Sequence, residues 1–178
     1  VLVVDIGGGS TELVVRGRHG LGVVSLDLGC VRLSERYLGH DPPHRDELAS
    51  AERVTAGELA RAVTAVPDLD ALPPDSRLLG LAGTVSTLAA LELGLTTYDR
   101  DRIHHFVLTL DAVRRWCEVL AAEPAARRAA RPGMIEGRQD VIVGGALVLR
   151  QVMETLGFDR CTVSESDILD GLVESLVE

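Results

Sequence analysis

The chain contains no lysine: all 18 of its basic residues are arginine. That excludes lysine chemistry, both Schiff-base formation and the lysine of a nucleotide-binding P-loop. Long apolar runs are missing as well. None approaches the roughly 18–20 residues of a membrane-spanning helix, so no membrane partner is expected. The opening Val1-Leu2-Val3-Val4-Asp5 meets a charge after four apolar residues and lacks the signal-peptide pattern, so a cytoplasmic location is expected. Without an initiator methionine, and starting inside a strand pattern, the chain reads as a fragment of a longer protein. Cysteine is sparse: Cys30, Cys117 and Cys161 are odd in number, far apart and form no Cys-x-x-Cys pair. Three inert thiols in a reducing compartment are expected. A basic excess is absent too. The net charge of −9 argues against nucleic acid, which calls for a basic face. A polyanionic ligand would therefore need local neutralisation by metal, arginine or backbone N–H groups, or by another part of the protein.

What is present suits one folded domain: 178 residues, 46% hydrophobic. Residues 1–6 are an apolar run ending in Asp5, the pattern of a buried strand. Gly7 to Ser10 read as a turn, 11–15 as a second strand and 21–28 as a third, so the chain opens with a hairpin and not with a βαβ unit. A short helix is expected over 31–38 and a long amphipathic one over 45–66, after the break at Asp41-Pro42-Pro43. A strand at 78–82 leads into a helix to about residue 93; 96–106 look irregular. Helices follow at 110–122, 125–130 and 135–156, then a strand at 161–164 and a helix at 167–177. This order is similar to the ribonuclease H-like topology of the actin, Hsp70 and sugar-kinase ATPases. The expectation is an α/β domain with a mixed sheet and main elements in the order βββαβαβα.

The densest chemistry lies in Asp5-Ile6-Gly7-Gly8-Gly9-Ser10-Thr11-Glu12. Three consecutive glycines let the backbone approach a ligand closely. Their N–H groups, with the hydroxyls of Ser10 and Thr11, can surround phosphate oxygens. Asp5 ends one strand and Glu12 starts the next, so the two carboxylates can converge across the hairpin. They would repel phosphate unless a cation sat between them, and Mg²⁺ takes one or two carboxylates together with phosphate oxygens. One carboxylate could instead orient the attacking water. A bare hairpin needs only two turn residues, so Gly-Gly-Gly-Ser exceeds the structural need. A dinucleotide fingerprint fails here because Glu12 stands at its third glycine and a strand follows.

Five further stretches carry polar or charged groups in a pattern. Gly80 to Leu88 read as a strand, a Gly83-Thr84 turn and a hydroxyl-rich helix start, able to hold an anion or simply capped by Thr84. Arg32, on the helix after Gly29-Cys30, can reach a phosphate or sit on the surface. Arg138-Gln139-Asp140 reads as an Arg–Asp pair in the first turns of the 135–156 helix, ahead of Gly144-Gly145. His104-His105 lacks partners at metal spacing and suits a loop or structural use, and Ser164 to Asp167 reads as a cap on the last helix.

Taken in order, the Asp5–Glu12 segment, Leu28 to Leu33, Gly80 to Leu88 and Arg138 to Gly145 resemble the second domain of the Ppx/GppA phosphatases. The resemblance implies a two-domain actin-like fold with its site in the cleft between domains. The implied activity is Mg²⁺-dependent removal of terminal phosphate from inorganic polyphosphate, or from guanosine pentaphosphate. It also implies that Asp5 and Glu12 hold metal and position the water. Phosphate would fall to Gly7, Gly8, Gly9, Ser10 and Thr11, with Gly83 and Thr84 as the second turn and Arg32 near the cleft. Residues 1–178 would be the second domain alone, the family's first domain and its catalytic glutamate lying outside the chain. The fragment is then expected to be inactive or feeble by itself, and a homodimer is left open. One departure stands out: the family's Gly-Leu-Arg-Glu-Gly-like run reads Asp167-Ile168-Leu169-Asp170-Gly171 here, without the arginine. Two other readings stay open: a module that binds polyphosphate or guanosine phosphates without cleaving them, and an ATPase or sugar kinase of the same superfamily.

Overall fold

A computed structural model of the chain describes residues 1–18 and 20–166. The chain opens as three antiparallel strands, β1 (Leu2–Ile6), β2 (Thr11–Gly17) and β3 (Gly20–Leu26). Helices α1 (Cys30–Tyr37) and α2 (Arg45–Ala65) follow, then a 3-10 turn at Pro67–Leu69. Strand β4 (Leu78–Leu81) runs directly into α3 (Ala82–Leu93). Next come the short α4 (Arg100–Ile103), β5 (Val107–Thr109), α5 (Leu110–Ala121), α6 (Ala125–Ala129), α7 (Ile142–Leu156) and β6 (Arg160–Val163). The strands form one mixed sheet in the order β3-β2-β1-β4-β6-β5. β4 lies parallel to both β1 and β6, and β5 pairs antiparallel with β6.

The pleat sorts each strand into two faces. Leu2, Val4 and Ile6 of β1, with Thr11, Leu13 and Val15 of β2, are fully buried. Val3, Asp5, Glu12 and Val14 stand half-buried on the other face. α7 is buried along most of its length, from Ile142 to Met153. A helix apolar on every side belongs inside a domain, and α7 packs against α1, α2, α3, α5 and β1. Its glycines are contact points: a Cβ on Gly144 would lie 2.7 Å from Ser34 Oγ, and one on Gly145 would lie 2.4 Å from Thr84 Oγ1. α2 starts with a reciprocal cap in which the His44 side chain and Glu47 each take the other's backbone N–H. Glu47 is pushed down to about 2, first by its hydrogen bond with His40 and then by the His44 N–H. No helix among the described residues is long and apolar enough to cross a membrane.

The structure differs from the sequence reading in three places. Residues 131–141 are not the start of a helix; α7 begins only at Ile142. Gly133 and Gly137 have φ of +91° and +80°, outside the helical region, and the segment is a chain of short turns. Arg138 and Asp140 form no ion pair among the described residues; Asp140 takes the Gln139 amide at 3.2 Å instead. The 96–106 stretch contains α4, and β5 follows it. Ser164 Oγ takes the Ser166 N–H at 3.2 Å, and Glu165 accepts the hydroxyls of Ser86 and Tyr98; the cap expected over Ser164 to Asp167 runs beyond the described residues. The helix expected over 167–177, and the departure at Asp167 to Gly171, lie outside the described residues.

Candidate active site

Two turns leave the C-terminal ends of neighbouring parallel strands, one after β1 and one after β4. In α/β sheets such ends are where ligands bind. In the first turn, the Gly7 N–H donates to the Ser10 carbonyl at 3.0 Å. The carbonyls of Gly7 and Gly8 accept the N–H groups of Cys30 (2.9 Å), Val31 (3.0 Å) and Arg32 (3.0 Å). The turn therefore caps α1 with its own backbone, which explains why that helix has no side-chain cap. Among the described residues the N–H groups of Gly8, Gly9 and Ser10 meet no acceptor. They remain as donors for a ligand. The close approach also fixes Gly29, where a Cβ would lie 2.3 Å from the Gly8 carbonyl oxygen.

Asp5 and Glu12 face each other as a cross-strand pair in the β1–β2 register. Both are half-buried on the same open sheet face. Ser25, opposite Glu12 on β3, donates to Glu12 Oε1 at 2.7 Å. Arg32 reaches the turn as well: a Cβ on Gly9 would lie 3.7 Å from its Nη2. Its current partner is the exposed Asp27, an ion pair weak enough to be exchanged for a ligand. Thr11 is placed differently. Its side chain is fully buried and its hydroxyl donates to the Leu28 carbonyl, so it fixes the base of the turn and does not face outward.

The second turn is strained. Ala82 has φ of +68°, the left-handed region that a residue with a Cβ rarely adopts. No side chain caps α3. Thr84 is not its cap; it is buried against Gly145 of α7. Gly83 faces the guanidinium of Arg138, whose Nη2 would lie 2.1 Å from a Cβ added there. Arg138 Nη1 also sits 4.0 Å from the Sγ of Cys30, the first residue of α1. Arg138 thus spans the two turns, and no carboxylate pairs with it among the described residues. A half-buried arginine between the two turns, with no carboxylate partner among the described residues, is suited to an anion.

Arg138 is the residue that sequence reasoning missed, because its position depends on contacts far along the chain. Buried Arg128 donates from Nε to the Gln139 carbonyl at 2.7 Å, pinning the backbone beside Arg138. Around Gly83, Ser86, Tyr98, Arg138 and Glu165 lies a cleft of about 410 Å³. Burial, and then the bond to Glu165, push the Tyr98 phenol up to about 12, so it stays a neutral donor. The Glu165 N–H donates to His104 Nδ1 at 3.1 Å, which gives His104 a structural use.

These two turns and the residues around them match a known pattern along the entire chain: the model of the Ppx/GppA phosphatase family covers residues 1–178. The chain belongs to the Ppx/GppA phosphatase family. It is 42% identical to exopolyphosphatase 2 of Mycobacterium tuberculosis over 98% of this chain and 55% of that protein. It is 26% identical to the guanosine-5'-triphosphate,3'-diphosphate pyrophosphatase of Pseudoalteromonas translucida, over 99% of this chain and 33% of that protein. The crystal structure of the Aquifex aeolicus Ppx/GppA phosphatase superposes with a TM-score of 0.85 at 30% identity, covering 98% of this chain and 56% of that one. The chain thus spans about half the length of these Ppx/GppA relatives or less. The mixed six-stranded sheet is the actin-like ATPase fold of its Ppx/GppA neighbours, as the element order led us to expect.

Proposed function

We propose that this chain is one half of a Mg²⁺-dependent exopolyphosphatase, which releases terminal orthophosphate from inorganic polyphosphate. The observation that carries this reading is the pairing of Asp5 with Glu12 across β1 and β2, beside a turn with three N–H groups open to a ligand. The donor set fits the ion: two carboxylates are hard oxygen ligands, and Mg²⁺ is commonly held by one or two of them plus phosphate oxygens. When bound there, Mg²⁺ neutralises phosphate charge and orients the scissile end. The N–H groups of Gly8, Gly9 and Ser10 hold the terminal phosphate oxygens. Arg32 and Arg138 offset its charge in a protein whose net charge is −9. Glu12, oriented by Ser25, accepts a proton from the attacking water. Water adds to the terminal phosphorus, the bridging P–O bond breaks, and its electron pair leaves with the shortened chain. The remaining wall of the cleft, with a catalytic glutamate, comes from a first domain of the same protein, in the cytoplasm. Exopolyphosphatase 2 spans nearly twice this chain, which supports that arrangement.

The full-length protein should release orthophosphate from long-chain polyphosphate when Mg²⁺ is present. Glu12→Gln should lower kcat by about 10²-fold or more, the scale of a general base, while KM moves far less. An unchanged kcat would remove Glu12 from the chemistry. The similarity to a guanosine-5'-triphosphate,3'-diphosphate pyrophosphatase favours guanosine pentaphosphate as the second substrate to assay. Calorimetric binding of either substrate with no phosphate released would instead mark a non-hydrolysing sensor.

A further inference from the structure

The loop between α1 and α2 carries a second cluster of metal-ligating side chains, on a different part of the chain from the glycine turn. One ligand atom each from His40, His44 and Glu47 lies within 4.8 Å of the others. No other trio of His, Cys, Asp or Glu among the described residues comes as close. His40 Nδ1 stands 3.0 Å from Glu47 Oε1, and the two imidazoles stack with ring centroids 3.8 Å apart.

The loop backbone is held in place by contacts of its own. Asp41 Oδ2 accepts the Ala125 N–H at 2.7 Å, and Asp41 Oδ1 pairs with Arg128 Nη2 at 2.8 Å. Glu47 accepts the N–H groups of Gly39 (2.9 Å) and His44 (2.7 Å). The segment that joins the three side chains is therefore ordered before any ion arrives, which lowers the entropy cost of binding.

We propose that His40, His44 and Glu47 bind one borderline divalent cation of the Zn²⁺ class, with solvent completing its coordination. Two imidazoles and a carboxylate are a known three-ligand set for zinc. Imidazole nitrogen favours Zn²⁺, Cu²⁺ or Ni²⁺, whereas Mg²⁺ prefers oxygen. The site is thus chemically distinct from the all-oxygen pair of Asp5 and Glu12. Bonds of roughly 2.0–2.1 Å place tetrahedral ligand atoms about 3.3 Å apart, and the His40–Glu47 pair is already near that separation. Stacked rings aim their nitrogens in parallel, so one imidazole turns on binding. His40 has the freedom, its side chain being 61% exposed. His44 also caps α2, so coordination competes with that cap and keeps the affinity moderate.

The test is a calorimetric Zn²⁺ titration of the purified 178-residue chain, with Mg²⁺ in excess to saturate oxygen sites. The expected result is one Zn²⁺ per chain. Losing a residue that merely orients a ligand costs roughly 10–100-fold in affinity, so His40→Ala should weaken binding at least about tenfold. His44→Ser should do the same while keeping a hydroxyl that can still cap α2, as a native circular-dichroism spectrum would verify. Three results would overturn the proposal: no Zn²⁺ bound, binding indifferent to both substitutions, or binding abolished by Glu12→Gln in their place.

Discussion

Gly29 and Gly83 each let a turn approach its neighbour, but they face different kinds of atom. A Cβ on Gly29 would lie 2.3 Å from the Gly8 carbonyl oxygen and 2.6 Å from the Gly9 carbonyl carbon. Both are backbone atoms of a turn whose carbonyls also bind the first N–H groups of α1, so neither can yield alone. Gly29→Ala should cost about 1–3 kcal/mol, the range for forcing extra carbon into a packed site. A Cβ on Gly83 meets the far end of Arg138, 2.1 Å from Nη2. That side chain can swing aside, and alanine is the better helix former by roughly 0.5–1 kcal/mol. Gly83→Ala should therefore leave urea stability nearly unchanged while slowing phosphate release in the full-length protein. If it destabilised the fold as much as Gly29→Ala, Arg138 would be a rigid strut and not a yielding ligand arm.

Among the elements, the 131–141 segment is the one that depends most on contacts distant in sequence. Arg128 holds it: beyond the Gln139 carbonyl, its guanidinium donates to the carbonyls of Leu120 (3.2 Å) and Glu123, and pairs with Asp41. Its side chain is only 4% exposed. Arg128→Met should lower stability by about 2–4 kcal/mol, because it strands buried carbonyls as well as removing an ion pair. Asp41→Asn should cost less, since Asp41 is half-exposed and loses only the charge. A urea titration that ranked Arg128→Met with an exposed variant such as Arg61→Ala would refute this role. The same network shows why the sequence was legible in some places and opaque in others. α2 was expected over 45–66 and ends at Ala65, because prolines at 42, 43 and 67 bound it locally. α7 was expected from 135, seven residues early, because its true start is set by positive φ at Gly133 and Gly137 and by a bond from Arg128, eleven residues away. β5 has three residues, of which only Leu108 is buried; pairing with β6 makes it a strand, and no local pattern announces that. In the site, the Asp5–Glu12 pairing was readable because a hairpin puts neighbours in sequence opposite each other. The orientations of Thr11 and Thr84 and the position of Arg138 come from packing against α1, α7 and the 131–141 turns.

At the scale of the whole molecule, a chain of net charge −9 with the proposed function would attract its polyanion through a few local positive groups. Its far field repels polyphosphate, and Mg²⁺ at Asp5 and Glu12 would reverse the sign only at the mouth of the cleft. Bulk salt and bound metal then act differently. Salt screens beyond a Debye length of about 10 Å at 0.1 M and weakens repulsion and attraction alike. A bound divalent ion adds charge where the phosphate sits. Polyphosphate binding by this chain should therefore rise with Mg²⁺ and should not be reproduced by NaCl at equal ionic strength. Fluorescence anisotropy of a labelled polyphosphate, titrated with protein in the two salts, would measure it. Asp5→Asn should lose most of the Mg²⁺-dependent gain, while His40→Ala should keep it. If NaCl matched Mg²⁺, general screening would account for binding, and the carboxylate pair would have no part in holding a cation. Orthophosphate release under the same conditions should be negligible for this chain and substantial for the full-length protein, since the proposed catalytic glutamate lies in the other half.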